Sequence, residues 1–438
     1  MSIQHRVADV ITQHVSTGNK IILALSGGID SVVLLDILSR LSLSNNNVVA
    51  VHVHHGLSAK ADAWLAFCKQ LCQQYQIQFF SEHVHLKSLD KGIEAAARQA
   101  RYQALAKHME RDALLLTAQH QDDQCETLLL ALKRGSGVRG LAAMPTTLPF
   151  KQGILLRPLL RVPREAIEKY AASKQLRWVE DDSNSETKFD RNFLRLDVLP
   201  ELNKRWPGFS ANVARSAELC QQANYLLDEI AEQDLNAIQL THDKLCLTLM
   251  AGMSPPRINN VLRMWLRQFD LAMPSQQVME QIVVQMLQAK DDSDPVIALG
   301  AFSLRRYKRV LYIVSEERKL IHNTFSWALS HPLSLGEGMG ELVATDTKDE
   351  LALRKPRVEE QVTIRFAIPG ATTSWPIGRD KRRTVKKLMQ EYHVPTWQRR
   401  LVPFVFYGEK LVAAVGLWVD KDYTACAKQQ AIKVEHIG

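Results

Sequence analysis

The residues best suited to chemistry stand in one short loop, Ser26-Gly27-Gly28-Ile29-Asp30-Ser31. Two adjacent glycines let a chain turn tightly and bring N–H groups close to a ligand. A helix starting here would point its positive end at the same spot, and hydroxyls at both ends of the loop can donate to phosphate oxygens. The ordinary ATPase loop ends in Gly-Lys-Ser or Gly-Lys-Thr, and this one has no lysine. Asp30 instead places a carboxylate beside the phosphates, which makes sense when a cation, Mg²⁺ first among candidates, bridges the two. The plainer reading is a strand-to-helix turn with Asp30 and Ser31 as caps.

Further groups with chemical potential lie downstream. Asp122, Asp123 and Glu126 open a predicted helix, and Asp123 and Glu126, three apart, share a face. They either complement the helix dipole or hold a cationic substrate and take a proton from it. Arg98 and Arg101 are also three apart on a helix. They could neutralise charge developing on a phosphate, or form surface ion pairs. Arg191 is a second candidate for the same phosphate or for a polyanion backbone. The histidines His52, His54, His55, His83, His85 and His120 have no cysteine partner or HExxH spacing that would indicate zinc. Cys68 and Cys72 read as buried side chains of an amphipathic helix.

Elements of a definite kind must position these residues. Ile21 to Leu25, Val48 to Val53, Gln78 to Val84 and Ala113 to Ala118 read as strands. Helical patterns separate them at Asp30 to Leu41, Ala61 to Tyr75 and Ile93 to Glu110, and helices follow at Asp122 to Lys133 and Arg164 to Gln175. Short buried strands alternating with helices indicate βαβ units, hence an α/β fold with a doubly wound parallel sheet. The loop at 26–31, residues 52–55 and residues 119–120 would then open on the same carboxyl edge, where such sheets bind ligands.

The chain has 438 residues, 46% of them hydrophobic and 23% charged, which indicates a globular protein of two or three domains. We place the α/β domain at 1–215 and a helical domain at 216–330, with no buried strands in residues 211–290. A Gly-rich linker at 331–358 then leads to a small α+β domain at 359–438. No apolar run has membrane-spanning length, and Met1 to Lys20 is too polar for a signal peptide. Six cysteines without a dense framework fit a reducing compartment, so a cytoplasmic location is expected. The formal charge is +8, and eight basic residues fall between Arg379 and Arg400 against Asp380 and Glu391 alone. Arg382, Arg383, Lys386 and Lys387 form the centre of this segment, whose single sign suits contact with nucleic acid.

Strand–SGGxDS–helix resembles the loop of the N-type ATP pyrophosphatases, the PP-loop superfamily, which cleave ATP between the α- and β-phosphates. Within it the chain closely resembles the tRNA(Ile)-lysidine synthetase family. Matching stretches are His52-Val53-His54-His55-Gly56-Leu57, Glu94 to Tyr102, Thr117 to Thr127, Arg134 to Leu141, Arg157-Pro158-Leu159-Leu160, and Asp181-Asp182-Ser183-Asn184 leading to Arg191-Asn192. They occur in order across the first domain, and Lys386 to Trp397 resembles the family's C-terminal module. The resemblance implies ATP and Mg²⁺ as cofactors, with a CAU-anticodon isoleucine tRNA and free L-lysine as partners and a homodimer as a candidate assembly. It implies that Ser26, Gly27, Gly28, Ile29, Asp30, Ser31 and His52 bind the nucleotide, with Asp30 also at the metal. Asp30, Arg98, Asp123, Glu126 and Arg191 would be catalytic. His55, Arg101, Asp122, Asp123, Glu126, Arg382, Arg383, Lys386 and Lys387 would bind substrates.

Two enzymatic rivals share the phosphate loop. A tRNA thiolase needs reactive cysteines, and no Cys-x-x-Cys pair is present. An amide-forming ligase would not need the basic tail. A tRNA-binding protein with a vestigial nucleotide fold, a different class, is disfavoured by the presence of Ser26, Asp30, Asp123 and Glu126 together.

Overall fold

The computed structural model describes residues 2–16, 18–41, 47–56, 58–84, 93–180, 186–288, 293–316, 324–336, 339–349, 351–425 and 430–437, with the side chains of 93–95 also left undescribed. Leu57, His85 and Asp181-Asp182-Ser183-Asn184 lie outside the described residues. The chain divides into two compact units, Met1–Glu229 and Ile230–Gly438.

In the first unit the order is α1 (Ile3–Thr12), β1 (Lys20–Ala24), α2 (Ile29–Ser39), β2 (Asn47–His54), α3 (Ala61–Gln74), β3 (Gln78–His83), α4 (Ile93–Ala106), β4 (Leu114–Leu116) and α5 (Gln121–Lys133). There follow α6 (Val138–Leu141), β5 (Thr147–Phe150), β6 (Gly153–Leu156), α7 (Arg164–Ser173), α8 (Asp190–Phe193), a π-helical run Leu194–Val198, α9 (Leu199–Arg205) and α10 (Phe209–Ile238). One sheet forms in the order β3-β2-β1-β4-β6-β5, parallel except for β5.

The period-two alternation of a strand shows why both faces are covered. On β1, Ile21 and Leu23 join a core with Val7, Val32, Leu35, Cys72 and Ile167, from α1, α2, α3 and α7. Ile22 between them joins the opposite core with Val51, Leu105 and Leu115, covered by α4. The chain winds outward from β1 through β2 to β3, then returns to lay β4 on the other side of β1. The switch point therefore lies between the carboxyl ends of β1 and β4, where a crevice opens in folds of this type. The doubly wound sheet expected from the sequence is what the chain builds. The hairpin of β5 and β6 was not expected, because its strands carry no alternation.

The second unit first builds an antiparallel sheet in the order Gln239–Thr241, Lys244–Cys246, Val310–Ser315, Phe302–Tyr307, Val296–Leu299. Helices Pro255–Arg267 and Gln276–Ile282 pack Leu262, Trp265 and Ile282 against it. The expectation of no strands before residue 290 is corrected here, since three-residue strands are too short to complete a recognisable period. Residues 331–358 are corrected likewise. Leu333–Ser334, Glu341–Thr347 and Leu353–Arg354 form a sheet with Ala431–Ile437, and Leu335, Leu342 and Leu353 are buried. The sequence there reads as a linker because the strand that stabilises it comes some eighty residues later. The basic segment holds a short helix, Val385–Glu391, which buries Val385, Leu388 and Met389 and leaves Lys386 and Lys387 exposed. Among the described residues, no helix is long and apolar enough to cross a membrane.

Candidate active site

The phosphate loop joins β1 to α2 at the switch point. Gly27 takes φ +90°, and a Cβ there would meet Val179 Cγ2 at 2.8 Å and Cys68 Sγ at 3.1 Å. Glycine is thus required by both backbone and space. Gly28 is the N-cap of α2 and provides no side-chain cap, so the helix presents its first-turn amides and positive end without a capping side chain. The two hydroxyls brace the loop. Ser26 Oγ lies 3.1 Å from Ser31 Oγ, Gly27 N donates to Ser31 Oγ at 3.2 Å, and Gly28 N donates to Ser26 Oγ at 3.3 Å. This turn fits a phosphate group: it is tight, and the first-turn amides of α2 carry no capping side chain.

Asp30 stands in the first turn of α2. Arg164 Nη1 donates to both its oxygens, at 2.7 and 2.8 Å. His120 Nε2 lies 3.8 Å from Asp30 Oδ1 and 3.4 Å from Asp123 Oδ2. His120 is also the N-cap of α5. It accepts a hydrogen bond from Asp122 N through Nδ1, while Asp123 Oδ2 accepts from His120 N at 3.0 Å. The histidine thus spans from the phosphate loop to the acidic helix start.

Glu126 is fully buried, with 0% exposure. Burial pushes its carboxyl up, against the hydrogen bonds from Arg195. Arg195 Nε donates to Glu126 Oε1 at 2.7 Å, and its Nη2 reaches Glu126 Oε2 at 3.0 Å and Asp123 Oδ1 at 2.8 Å. Arg191, one turn earlier, places Nε 3.4 Å from Glu126 Oε2 and donates from Nη2 to Thr127 Oγ1 at 3.3 Å. Burial also pushes the Asp122 carboxyl up. The structure therefore brings Asp30, Asp123, Glu126 and Arg191 of the expected set into one network, and adds His120, Arg164 and Arg195. Spacing gave no sign of Arg164, whose partner lies 134 residues away, and the partners of Arg195 lie about seventy residues away. Arg195 does stand in the Arg191–Arg195 stretch, and that repeat at one helical turn was the available signal.

The other expected residues sit elsewhere on the carboxyl edge. His52 is buried, and its Nδ1 donates to Leu25 O at 2.9 Å, tying β2 to the start of the loop. Burial holds it below the usual histidine range. His55 Nε2 accepts from Arg101 Nε at 3.4 Å, and burial together with the Arg101 charge pushes its ring down to about 4. Arg98 instead faces Tyr102, with its guanidinium 5.1 Å from the ring centroid. Arg98 and Arg101, expected to act together, thus have different neighbours. Arg382 pairs with Asp422, and Arg383, Lys386 and Lys387 belong with it to the second unit.

Asp30 is the carboxylate expected at a cation, and in the structure both its oxygens accept from Arg164. Among the described residues no group of three or more His, Cys, Asp or Glu side chains is disposed to hold a metal. A magnesium site here would have to be completed by phosphate oxygens and water, the usual arrangement for that ion. The thiols of Cys68, Cys72 and Cys125 are buried and pushed up to about 12, which makes them poor nucleophiles.

Known families and relatives match nearly the whole chain. The family described as PP-loop domain matches residues 1–202, the TilS substrate binding domain matches 245–312, and the TilS substrate C-terminal domain matches 362–436. The tRNA(Ile)-lysidine synthase of Proteus mirabilis is 40% identical over 428 residues, covering 97% of each chain. That of Serratia proteamaculans is 43% identical over 403 residues, covering 92% of each. Among solved structures, the U34-tRNA thiolase NcsA from Methanococcus maripaludis has a TM-score of 0.42 at 17% identity, covering 50% of this chain and 78% of that one.

Proposed function

The chain belongs to the tRNA(Ile)-lysidine synthase family, and from that premise we propose how its first unit joins lysine to the wobble cytidine of a CAU-anticodon isoleucine tRNA. It is an ATP-dependent tRNA-modifying ligase. The cytosine carbonyl oxygen is a poor leaving group and must be activated. In the first step that oxygen attacks the α-phosphorus of ATP, the bond to the β-phosphate bridging oxygen breaks, and pyrophosphate leaves. In the second, the ε-amine of lysine attacks C2 of the adenylated cytidine. The C2–O bond breaks, AMP departs with the oxygen, and the amine passes its proton to a carboxylate of the Asp123–Glu126 pair.

The observation that carries this reading is His120 between Asp30 and Asp123, at 3.8 and 3.4 Å. It sets the phosphate loop beside a pair of carboxylates that already holds a cationic side chain. Asp123 and Glu126 bind the ammonium of lysine, with Asp122 beside them, and Gly27, Gly28 and the first turn of α2 bind phosphate. Arg191 offsets the charge developing at phosphorus. Arg98, Arg101 and His55 contact the incoming nucleotide. Asp30 would hold Mg²⁺, and that ion would supply charge neutralisation at the phosphates. Arg164, which covers Asp30 in the structure, is close enough to exchange carboxylate for phosphate.

The second unit grips the tRNA body through Arg382, Arg383, Lys386 and Lys387, while the anticodon base, already single-stranded, enters the α/β site. The reading places the enzyme in the cytoplasm. A second copy of the chain is a further proposed partner, with Leu219, Tyr225 and Leu226 on α10 as exposed apolar candidates for the contact. Incubation with ATP, labelled lysine and a CAU-anticodon isoleucine tRNA transcript is the decisive test. Label should appear in the wobble nucleotide with equimolar AMP, and its absence there would overturn the reading.

A further inference from the structure

Every oxygen that could receive lysine's ammonium at Asp123 and Glu126 is already engaged. Asp123 Oδ2 accepts from the His120 backbone at 3.0 Å and is committed to capping α5. The remaining acceptors are Asp123 Oδ1 and both oxygens of Glu126, and Arg195 reaches all three, at 2.8, 2.7 and 3.0 Å. A guanidinium therefore sits where the substrate's ammonium would sit, and both cannot use the same lone pairs.

We propose that Arg195 is a placeholder for the lysine ammonium: it occupies the amine site when lysine is absent, and lysine enters by displacing it, one cation for another. This inference rests on the assignment of Asp123 and Glu126 as the amine site. A fully buried carboxylate needs a cation to stay ionised. Arg195 supplies it, so lysine meets a site already in the charged form. The Arg195 side chain is 35% exposed and can move outward, whereas Glu126 is enclosed and stays. Arg191 remains 3.4 Å from Glu126 Oε2, so Glu126 keeps one basic neighbour during the exchange. The segment carrying Arg195 is a π-helical run, Leu194–Val198, a wider turn that occurs often at functional positions. The charged groups facing Glu126 are Arg191 from α8, Arg195 from that run and Asp123 on its own helix, with Asp122, His120 and Asp30 beyond.

The exchange has a thermodynamic signature. In the wild type, ammonium replaces guanidinium and no net proton is exchanged near pH 7. In Arg195→Gln only Arg191, 3.4 Å from Oε2, is left beside the buried Glu126, so the carboxylate is harder to keep ionised and part of the population takes up a proton, which lysine must then expel. Binding of L-lysine to the full-length chain, measured by calorimetry in two buffers of different ionisation enthalpy, reads this directly. We expect wild-type binding without proton release. Arg195→Gln should release protons at pH 7, where wild type releases none, and, at pH 9, bind lysine about tenfold more tightly than wild type because the competitor is gone. Arg195→Lys keeps a shorter cation and should bind more tightly than wild type without proton release. It also serves if Arg195→Gln fails to melt cooperatively. Unchanged or weaker lysine affinity in both variants at pH 9 would overturn the placeholder. Glu126→Gln tests the underlying site separately. If it binds lysine like wild type, the amine-site assignment falls, whatever Arg195 does.

Discussion

Arg164 sets one nitrogen, Nη1, between both carboxylate oxygens of Asp30, at 2.7 and 2.8 Å, joining the first turn of α2 to the first turn of α7. The pair is part-buried, which makes its electrostatics stronger than those of a surface bridge. It also gives the phosphate loop an anionic and a cationic group in contact, so that either can face a phosphate or its counter-ion.

If Asp30 serves the cation and Arg164 only the carboxylate and phosphates, the two substitutions should differ. Asp30→Asn should lower kcat for AMP formation by about 100-fold or more, the scale on which a preorganised electrostatic group acts. Arg164→Gln should mainly raise the KM for ATP, by about tenfold. Steady-state pyrophosphate release at varied Mg²⁺ and ATP checks both. Equal kcat losses with unaltered KM values would contradict the division of roles.

Gly27→Ala should damage loop and fold together. The new methyl would stand 2.8 Å from Val179 Cγ2 at a backbone φ of +90°. The expected cost is about 1–3 kcal/mol of stability. It should be accompanied by weaker ATP binding, because Val179 N donates to Gly27 O at 3.0 Å and a displaced Val179 moves the loop with it. Thermal denaturation and nucleotide titration on the same sample measure the two effects.

Asp36 predicts an acid limit. It is fully buried in α2, where Tyr75 and Tyr170 hydroxyls donate to it at 2.9 and 2.7 Å and Arg40 donates to both oxygens at 2.9 Å. Burial opposes its ionisation, but these hydrogen bonds outweigh burial and hold the carboxyl below the usual carboxylate range. A depressed carboxyl contributes stability that is fully present above its unfolded value, about 4, and is lost as pH falls through the folded value. Wild type should therefore lose melting temperature below about pH 4, and Asp36→Asn should flatten that loss. At neutral pH the variant should cost about 1–3 kcal/mol from the polar groups left unmatched. A pH series of melting curves for both chains decides it.

The basic helix predicts a salt effect. Arg382 is already engaged by Asp422 and Arg379 lies 3.1 Å from Glu391, whereas Lys386 and Lys387 are exposed. Reversing the lysines in K386E/K387E should weaken tRNA binding more than R382E does. If both lysines contact phosphates, the slope of log affinity against log salt should fall by about 2. Filter binding at several salt concentrations measures it. An unchanged slope would remove the two lysines from the RNA surface.

Local sequence by itself determined much of this protein. The strands at 21–25 and 48–53, the Ser26–Ser31 loop and the acidic start of α5 are contiguous, and burial, tight turning and capping act over a few residues. So the doubly wound sheet and the phosphate-loop and acidic members of the candidate site were legible from the sequence alone. Tertiary structure decided the rest, because charge pairing ignores sequence distance. Asp30 found Arg164 134 residues away, and Asp123 found Arg195 72 residues away. Residues 331–358 read as a linker until Ala431–Ile437 arrived to pair with Glu341–Thr347. His52, which reads as a ligand, gives its Nδ1 hydrogen to Leu25 O across neighbouring parallel strands. What the Asp123 and Glu126 carboxylates hold in the folded chain is Arg195, a fact that only packing could decide.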